Sequence, residues 1–565
     1  MIINFLFKAL AAIMCLIGSF SGLRDAGEPV ARQYAINGSG TTEIGNGRVS
    51  IHDPSVIKDG DSYYIFGSHL CAAKSIDLLN WSDISCGVSD TNQLLVKPES
   101  TIRDTLSEPL EWTDAYQSLY AYDENVWQTN IWAPEVIYNK TMGKYCYYSC
   151  SSVWGTTASV IWLATSDDIE GTYKYQSPVV YSGFNNQTLD GKYIRSNSMH
   201  FSFTNIGRLL DKGTLKIKDV QNAPWFRADG TYNSEIYPNC IDPNVFYDKN
   251  GNLWMSYGSF FGGIYIMPLV EKTGLPDYKY MKKTEGYDMY FGKKIIATAF
   301  ANDLSGEGAY IRYDPQTDYY YLFISYGGLN SLGGYNMREY RSKSPDGPFI
   351  DAKGNPATDN ANTGLKLMGS YKLSSLDTAY LAAGHSSALY DEDGKLLNVY
   401  HQRFNNGFEN YETRVHQLVR NKNGWAVMLP FEYRGEAVSN CGYDLSAASG
   451  EYEFVAHGNI TNKADTWENA ENIITPTQNI TLNPDGTISR LKVYESVKEN
   501  TAVSSADAVG TWSIEEGTPY ITLTINDVKY EGVLCIQKDE SKDNKNVLVF
   551  SAAGENNECI WGVHK

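Results

Sequence analysis

Short stretches in which apolar or aromatic residues alternate with polar ones recur along most of the chain, in pairs separated by a tight turn. Such pairs predict β-hairpins, because turns of Asp-Gly, Asn-Gly or Asp-Pro type reverse the chain between antiparallel strands. Five of the pairs resemble one another and cover residues 51–69, 131–150, 241–259, 305–327 and 383–404. Repetition at long spacing predicts a propeller or array, in which each unit buries its face against its neighbours.

Each hairpin is followed by further apolar segments that can supply outer strands, such as residues 162–168, 263–269 and 414–420. Four strands per unit is the pattern of a propeller blade. The repeat stops near residue 434, and new strand patterns with turns between them fill residues 440–565. The chain is therefore predicted to be all-β, with a five-bladed β-propeller over 49–434 followed by a smaller C-terminal β-barrel or sandwich domain over 440–565.

The first residues have the pattern of a secretory signal. Residues 1–21 combine one Lys, a short apolar run and small residues at plausible cleavage positions, and residues 22–48 read as a connecting arm. Cys15 could instead mark a lipid anchor, although Ala12 and Met14 fit that pattern poorly. No other stretch approaches the ~20 apolar residues that a membrane span needs. We expect a secreted protein, periplasmic or extracellular, without a membrane span.

Charge and cysteine usage narrow the classes of partner. The formal net charge of −19 disfavours nucleic acid and anionic membrane surfaces, because no basic stripe is available to bind them, whereas it suits a neutral ligand. Eight cysteines remain after the signal, too widely spaced for a disulfide scaffold, and Cys71 with Cys86 is the one pairing left open. The absence of CxxC, HExxH or zinc-spaced motifs disfavours a transition-metal enzyme.

One slot of the repeat is filled in the five hairpins by Asp53, Ala133, Asp242, Glu307 and His385. If equivalent strands surround one axis, residues at equivalent slots gather at one end of it. Three carboxylates and a histidine are therefore predicted to converge on a single pocket.

Carboxylates that face each other across a pocket can hydrolyse a glycosidic bond. One is kept protonated and donates to the leaving oxygen, while the other is ionised and activates water on the opposite face of the sugar. A third negative charge raises the pKa of the acid. Glu307 is the candidate acid, Asp53 the candidate base, and Asp242 would tune and orient Glu307. An isolated Asp at a strand start can simply cap a turn, but three acids at equivalent slots favour a site.

The motif series resembles that of glycoside hydrolase family 43, and most closely that of its endo-α-1,5-L-arabinanases. The motifs are HDPS at 52–55, WAPEV at 132–136, IDPNVF at 241–246, GEGAYI at 306–311 and GHSSAL at 384–389. This resemblance covers about residues 49–434 and implies an inverting mechanism, with base Asp53, pKa modulator Asp242 and acid Glu307. It also implies plant cell-wall arabinan or arabino-oligosaccharides as substrate. The tail resembles the C-terminal β-domain of two-domain, extracellular arabinanases.

The same resemblance implies Ca²⁺ near His385, coordinated mostly by water. From the residue alone, a histidine at this slot can equally be a hydrogen-bonded structural residue, since calcium prefers oxygen donors. Residues 391–394, Asp-Glu-Asp-Gly, are predicted to form a hairpin turn because they lack the remaining ligand spacing of a calcium loop.

Further side chains near the motifs are candidates for sugar contact. Aromatic rings can cover the C–H faces of a sugar or pack in the core, and the candidate rings are Trp132, Trp154, Phe260 and Phe261. Glu135 stands where many relatives have Asp, and it is a candidate for contacting or supporting the substrate. Arg403, with His401 on the last inner strand, could bind a hydroxyl or restrain a carboxylate.

Three other functions fit the same pattern. An exo-acting α-L-arabinofuranosidase or β-xylosidase would use the same three carboxylates, and a retaining five-bladed enzyme, such as a fructan-acting transferase, would use the same scaffold. A non-catalytic sugar-binding propeller would bind carbohydrate without turnover. We expect the protein to be a monomer.

Overall fold

The computed structural model describes residues 47–97, 100–119, 130–187, 199–297, 306–359, 364–458, 463–491 and 507–565. The predicted signal at 1–21 and nearly all of the predicted arm at 22–48 lie outside these residues. Within the described part of the chain, no helix is both long enough and apolar enough to cross a membrane.

Five antiparallel sheets follow one another along the chain and form the predicted propeller blades. The first blade contains β1 (Ser55–Asp59), β2 (Ser62–Gly67), β3 (Cys71–Ser75) and β4 (Trp81–Ser85). The second contains β5 (Ile131–Asn139), β6 (Lys144–Ser152), β7 (Ser159–Ser166) and β8 (Lys174–Ser182). The third contains β9 (Asn244–Tyr247), β10 (Leu253–Tyr257), β11 (Ile264–Val270) and β12 (Leu275–Pro276), and β13 (Lys293–Ile296) also pairs with β11.

The last two blades have the same four-stranded order. The fourth contains β14 (Gly306–Asp314), β15 (Tyr319–Tyr326), β16 (Asn336–Ser342) and β17 (Leu365–Met368). The fifth contains β18 (Tyr380–Tyr390), β19 (Leu396–Phe404), β20 (Tyr411–Arg420) and β21 (Ala426–Glu432). All five predicted hairpins are present, each as the two innermost strands of a blade. Middle strands of the blades, such as β15, are nearly continuous apolar runs, because the neighbouring blades bury both faces of each sheet.

Residues 47–49 link the first blade to the fifth and so help to close the ring. The Gly47 carbonyl accepts a hydrogen bond from the Trp81 backbone N–H at 2.7 Å, and the Val49 carbonyl accepts one from the Thr413 backbone N–H at 3.0 Å. Between them, the buried Arg48 forms a bidentate ion pair with Glu432 at the end of the fifth blade.

The C-terminal domain is a closed antiparallel barrel of eight strands, which confirms the predicted small β-barrel. Its strands are β22 (Gly450–His457), β23 (Thr477–Leu482), β24 (Thr487–Leu491), β25 (Asp507–Ile514), β26 (Tyr520–Ile525), β27 (Val528–Lys538), β28 (Asn546–Gly554) and β29 (Cys559–His564). The barrel shares one apolar core cluster with the fourth and fifth blades. Polar groups also join the two domains, because Glu540 Oε2 accepts a 2.6 Å hydrogen bond from Tyr380 OH in the fifth blade.

Short helices occupy connections that the strand pattern did not predict. They are α1 (Ile102–Thr105), α2 (Ser107–Leu119), α3 (Asn205–Asp211), α4 (Ile217–Gln221), α5 (Tyr278–Met281) and α6 (Leu445–Ala448). Helices α3 and α4 belong to the insertion before the third blade, and their apolar residues join the core cluster of the second and third blades.

The eight cysteines from Cys71 to Cys559 are thiols rather than disulfides in this structure. Cys71 begins β3 and Cys86 follows the end of the adjacent strand β4, so their side chains lie in contact. Residues 391–394 form the predicted turn between β18 and β19.

The predicted slot is correct in four blades and wrong by one residue in the fourth. The slot residues share a left-handed backbone, with φ of 55° at Asp53, 36° at Ala133, 55° at Asp242, 61° at Gly308 and 48° at His385. In the fourth blade this conformation belongs to Gly308, and Glu307 is the residue before it. A Cβ at position 308 would lie 2.9 Å from the His385 ring, so the axis leaves room only for glycine there. The tripeptides that follow the corrected register are DPS, APE, DPN, GAY and HSS.

Candidate active site

A small cavity lies on the propeller axis where the innermost strands begin. Its volume is about 20 Å³, which is room for one water molecule. Every blade contributes consecutive residues from its slot onward, and these are 53–55, 133–135, 242–244, 308–310 and 385–386. The side chains at the slots therefore meet at one end of the axis.

Asp53 accepts hydrogen bonds from three side chains at this end of the axis. Its Oδ1 is 2.7 Å from His52 Nδ1 and 3.0 Å from His385 Nδ1. Ser68 Oγ donates to Oδ2 at 2.5 Å, and Ser68 itself accepts from the Ala133 backbone N–H at 2.9 Å. Burial would raise the pKa of Asp53, but His385 and His52 outweigh burial and hold this pKa well below its ordinary value. Asp53 is therefore ionised.

Asp242 occupies the same slot in the third blade, and its Oδ2 accepts a 3.2 Å hydrogen bond from the Gly308 backbone N–H. Burial raises the pKa of Asp242 to about 7, His385 opposes that rise, and repulsion from Glu307 and Asp53 adds to it. Asp53, Asp242, Glu307 and His385 thus interact with one another despite their separation in sequence.

Glu307 lies one residue before the slot and is held by two hydroxyl groups. Tyr335 OH donates to its Oε1 at 2.8 Å, and Ser259 Oγ donates to its Oε2 at 3.1 Å. Burial raises the pKa of Glu307; His385 and the Tyr335 hydrogen bond oppose the rise, and the negative charge of Asp53 adds to it. Asp53 and Glu307 therefore have opposite protonation preferences within one site.

His385 is surrounded by negative charge. Burial would lower its pKa, but Asp53, Asp242 and Glu307 outweigh burial and raise the pKa to about 10. The His385 backbone N–H donates to Ser325 Oγ at 2.7 Å, which joins the middle of β18 to β15 of the neighbouring blade. Because a carboxylate only accepts hydrogen bonds, the 3.0 Å contact with Asp53 requires a proton on His385 Nδ1 and leaves Nε2 for another ligand.

Two groups of residues can be considered for a metal ion. Only the neutral form of His385 offers a lone pair on Nε2, and a cation held largely by water would take the place of the second proton that the surrounding carboxylates favour. Among the described residues, His52, Asp53 and His401 also have ligand atoms within 4.8 Å of one another. That second set offers two nitrogens and one carboxylate, whereas calcium prefers six to eight oxygen ligands.

Glu135 lies further along the axis, below the slot level. It is 4% exposed, and Ser55 Oγ donates to its Oε2 at 2.8 Å. Burial raises the pKa of Glu135 to about 8, with hydrogen bonds and the charge of Arg312 opposing that rise. Glu135 supports the base of the cavity, and its predicted role toward the substrate stays a prediction.

The predicted aromatic residues flank both sides of the carboxylates. Trp132 precedes Ala133, whose backbone N–H donates to Ser68, the residue that also binds Asp53. The Trp132 ring packs edge-on against Trp154, with ring centroids 5.8 Å apart. Trp154 is 50% exposed. Phe260 and Phe261 are both partly exposed, and the Phe260 backbone N–H donates to the Gly306 carbonyl beside Glu307 at 3.0 Å.

Arg403 reaches the site indirectly. Its Nε donates to the Leu329 carbonyl at 2.8 Å, its Nη1 donates to the Glu409 carbonyl at 2.5 Å, and its Nη2 is 3.2 Å from His52 Nε2. His401 stacks on His52 with ring centroids 3.9 Å apart. Arg403 thus contacts the residue that binds Asp53, rather than any of the three carboxylates.

Sequence reasoning assigned no role to four residues of this site, which are His52, Ser68, Ser259 and Tyr335. His52 lies inside the first motif, directly before Asp53, so its position was visible. Ser68 and Ser259 both follow the second strand of their blades, and this shared position is the one signal that could have identified them. Tyr335 lies in a connection outside the repeated hairpins, and no repeat indicates it.

Comparison with known proteins gives matches along most of the chain. Residues 212–426 match Glycosyl hydrolases family 43, and residues 430–562 match its C-terminal lipocalin-like domain. An extracellular endo-α-(1→5)-L-arabinanase of Thermotoga petrophila is 38% identical over 533 residues, which cover 91% of this chain and 93% of the relative. An extracellular endo-α-(1→5)-L-arabinanase of Bacillus subtilis is 34% identical over 532 residues, covering 91% of this chain and 92% of the relative.

A solved structure extends this likeness to the fold. The crystal structure of the endo-1,5-α-L-arabinanase from Thermotoga petrophila has a TM-score of 0.70 and 36% sequence identity, and covers 92% of this chain and 99% of that chain. The blades, the C-terminal barrel and the ordered motifs at the axis agree with these matches, and the chain belongs to glycoside hydrolase family 43.

Proposed function

We propose that the protein is a secreted endo-α-1,5-L-arabinanase that hydrolyses internal α-1,5-L-arabinofuranosyl linkages of arabinan with inversion. One contrast carries the chemistry: within the same site the pKa of Asp53 is held well below its ordinary value, whereas burial raises the pKa of Glu307. The substrate and the internal mode of cutting are supported by two relatives named as extracellular endo-α-(1→5)-L-arabinanases. The predicted signal at 1–21 supports secretion.

In the proposed reaction, Glu307 donates its proton to the oxygen of the departing sugar. The carboxylate that remains is stabilised by the hydrogen bonds from Tyr335 and Ser259, so donation does not leave a bare buried charge. Asp53 accepts a proton from the water that attacks the opposite face of the arabinofuranose ring. Asp242 acts on Glu307, because repulsion between two neighbouring carboxylates raises the proton affinity of the pair.

We also propose a Ca²⁺ ion beside His385, coordinated mostly by water. Two observations support it: Nδ1 of His385 is used by Asp53, so that a neutral ring presents Nε2 to the ion, and the three carboxylates favour a positive charge here, which the ion would supply in place of the second His385 proton. When bound, the ion supplies positive charge that stabilises the ionised forms of the nearby carboxylates. The aromatic residues Trp132, Trp154, Phe260 and Phe261 are proposed to stack on sugars that extend from the cleavage point.

Incubation with linear arabinan, debranched arabinan and xylan, followed by sizing of the products, tests this function. Because internal cleavage shortens the chains quickly, we expect a rapid loss of viscosity and a range of arabino-oligosaccharides from linear arabinan. Release of arabinose alone would indicate the exo-acting alternative, and turnover of xylan alone would indicate a xylosidase. Proton NMR of the first product should show the β-anomer, because inversion changes the configuration of the α-linkage.

Two variants separate catalysis from binding. Glu307→Gln and Asp53→Asn keep the shape of each side chain but remove its ability to donate or accept the catalytic proton. Each is expected to lower kcat by about 10²- to 10⁴-fold while arabino-oligosaccharide binding persists. Binding without turnover by the unsubstituted protein would instead support the non-catalytic propeller.

A further inference from the structure

Arg403 is held rigidly behind the proposed base. It is 5% exposed, and two of its three nitrogens are fixed by the carbonyls of Leu329 and Glu409. Glu409 adds an ion pair, with Oε2 at 3.3 Å from Arg403 Nη1. The third nitrogen, Nη2, therefore has a fixed position, and it meets His52 Nε2 at 3.2 Å.

This contact determines which nitrogen of His52 carries the proton. A guanidinium group has only donors, so His52 Nε2 must present a lone pair to Arg403. Burial lowers the pKa of His52, Asp53 opposes that effect, and the charge of Arg403 adds to it, so the ring is neutral. A neutral imidazole with an unprotonated Nε2 has its proton on Nδ1. Nδ1 is the atom that lies 2.7 Å from Asp53 Oδ1.

His401 cannot take over this donation. The Asp53 backbone N–H points to His401 Nδ1 at 3.5 Å, so that nitrogen serves as an acceptor. Its distance of 3.9 Å from Asp53 Oδ1 is also too long for a hydrogen bond. Stacking of His401 at 3.9 Å and edge contact of Tyr411 at 4.9 Å instead hold the His52 ring in its plane.

The hydrogen bonds to Asp53 leave one acceptor position open. Each carboxylate oxygen can accept about two hydrogen bonds. Oδ1 accepts from His52 and from His385, whereas Ser68 is the one donor to Oδ2 among the residues that the structure describes. The remaining lone pair is on Oδ2, and this is the position from which a water proton can be taken.

We propose that Arg403 is a positioning residue that fixes the Nδ1-protonated tautomer of His52, so that His52 saturates Asp53 Oδ1 and directs proton transfer from water to Oδ2. This inference rests on the proposed function in assigning the base role to Asp53. It gives Arg403 a role in catalysis without contact with the sugar, in place of the hydroxyl-binding role predicted from sequence. Loss of Arg403 would allow the His52 proton to move to Nε2, where it cannot reach Asp53.

Two substitutions at position 52 distinguish the two ring nitrogens. In His52→Asn the side-chain amide nitrogen takes the place of Nδ1, whereas in His52→Gln it takes the place of Nε2. We expect His52→Asn to keep kcat on linear arabinan within about tenfold of the unsubstituted protein. His52→Gln and Arg403→Met should lose about 10²-fold in kcat with little change in KM, because the base is misdirected while sugar contacts remain. His564→Asn in the C-terminal barrel is the control and should change neither parameter.

Nitrogen NMR of protein labelled at its histidines tests the tautomer without substrate. The unsubstituted protein should show His52 protonated at Nδ1, and Arg403→Met should show a mixture or the Nε2-protonated form, with His52→Asn identifying the resonance. Protonation at Nε2 in the unsubstituted protein, or equal kcat for His52→Asn and His52→Gln in folded protein, would overturn the inference. If arabinan is not hydrolysed at all, the proposed function fails, and the tautomer measurement still decides the role of Arg403.

Discussion

Tyr335 OH donates a 2.8 Å hydrogen bond to Glu307 Oε1, and this bond stabilises the ionised form of the proposed acid. Two effects on the pKa of Glu307 therefore oppose each other, because burial raises this pKa and the Tyr335 hydrogen bond lowers it. The balance between them sets the pH range in which Glu307 is protonated and able to donate.

Tyr335→Phe is expected to extend activity to higher pH. An acid must be protonated, so activity is lost as pH rises through the pKa of Glu307. Removing a hydrogen bond to the carboxylate raises that pKa, and a bond to a charged group contributes roughly 1.5–3 kcal/mol. The alkaline limb of the kcat/KM profile should move up by about one pH unit, and kcat should fall as the product carboxylate loses a donor. An unchanged alkaline limb would contradict this account of Glu307.

Asp242→Asn is expected to move the same limb in the opposite direction. Repulsion from Glu307 contributes to the raised pKa of Asp242. Because repulsion between two carboxylates acts on both, removing the Asp242 carboxylate should lower the pKa of Glu307, so that its proton is lost at lower pH. The amide oxygen of Asn can still accept from the Gly308 backbone N–H, which preserves the local structure. A pH profile of kcat/KM on linear arabinan measures the shift, and a shift to higher pH would refute the modulating role.

The sequence predicted the propeller because apolar or aromatic segments paired across tight turns recur in all five inner hairpins, and burial of each blade between its neighbours requires such segments. It misplaced the slot of the fourth blade because Glu307 is chemically conspicuous and Gly308 is not. The close approach of the His385 ring, which requires a glycine, depends on another blade and cannot be read locally. Pro54 and Pro243 directly follow the slot residue in their blades. Aligning Ala309 with these two prolines would have placed the slot of the fourth blade at Gly308.

The hydrogen-bonding groups around the carboxylates were less predictable than the carboxylates themselves. Tyr335 comes from a connection that no repeat constrains, and Arg403 acts through His52 rather than on the pocket directly. Both relationships depend on three-dimensional packing between segments far apart in sequence. Residue type alone indicated the chemistry of Asp53 and Glu307, but only the fold shows what controls them.

Gly308→Ala is expected to damage both stability and activity. A Cβ at this position would lie 2.9 Å from the His385 ring, in addition to the strain of a left-handed backbone. Gly60→Ala is a matched control, because Gly60 has a similar φ of 54° and no atom within 4 Å of the added Cβ. Urea unfolding should show a cost of about 1–2 kcal/mol for Gly60→Ala and a larger cost for Gly308→Ala. Arabinan hydrolysis should fall only in Gly308→Ala, and equal effects would contradict crowding at the axis.

Removal of calcium is expected to destabilise the protein through His385. An ion that binds only the folded state stabilises it by about 2.7 kcal/mol at 100 times its Kd. Treatment with a chelator should therefore lower the thermal midpoint, and added Ca²⁺ should restore it. His385→Ala should abolish this response to Ca²⁺. A response that persists in His385→Ala would place the ion elsewhere, and the absence of any response in the unsubstituted protein would contradict the proposed site.

Arg414 holds together a buried charge cluster that joins the propeller to the C-terminal barrel. It is fully buried, with Glu412 Oε2 at 2.9 Å, Glu432 Oε2 at 3.3 Å and Glu540 Oε2 at 3.8 Å from its guanidinium nitrogens. Since Glu540 belongs to the barrel, the cluster spans the boundary between the domains.

Arg414→Met should destabilise the full-length protein by about 3–5 kcal/mol, because it leaves buried carboxylates without their partner. The control is Lys565→Ala, which removes an exposed ion pair with Glu451 and should cost at most about 1 kcal/mol. Urea unfolding of both variants measures the difference. If Arg414→Met unfolds in a single transition at lower urea, the cluster couples the two domains. An unchanged midpoint would mean that apolar packing alone joins them.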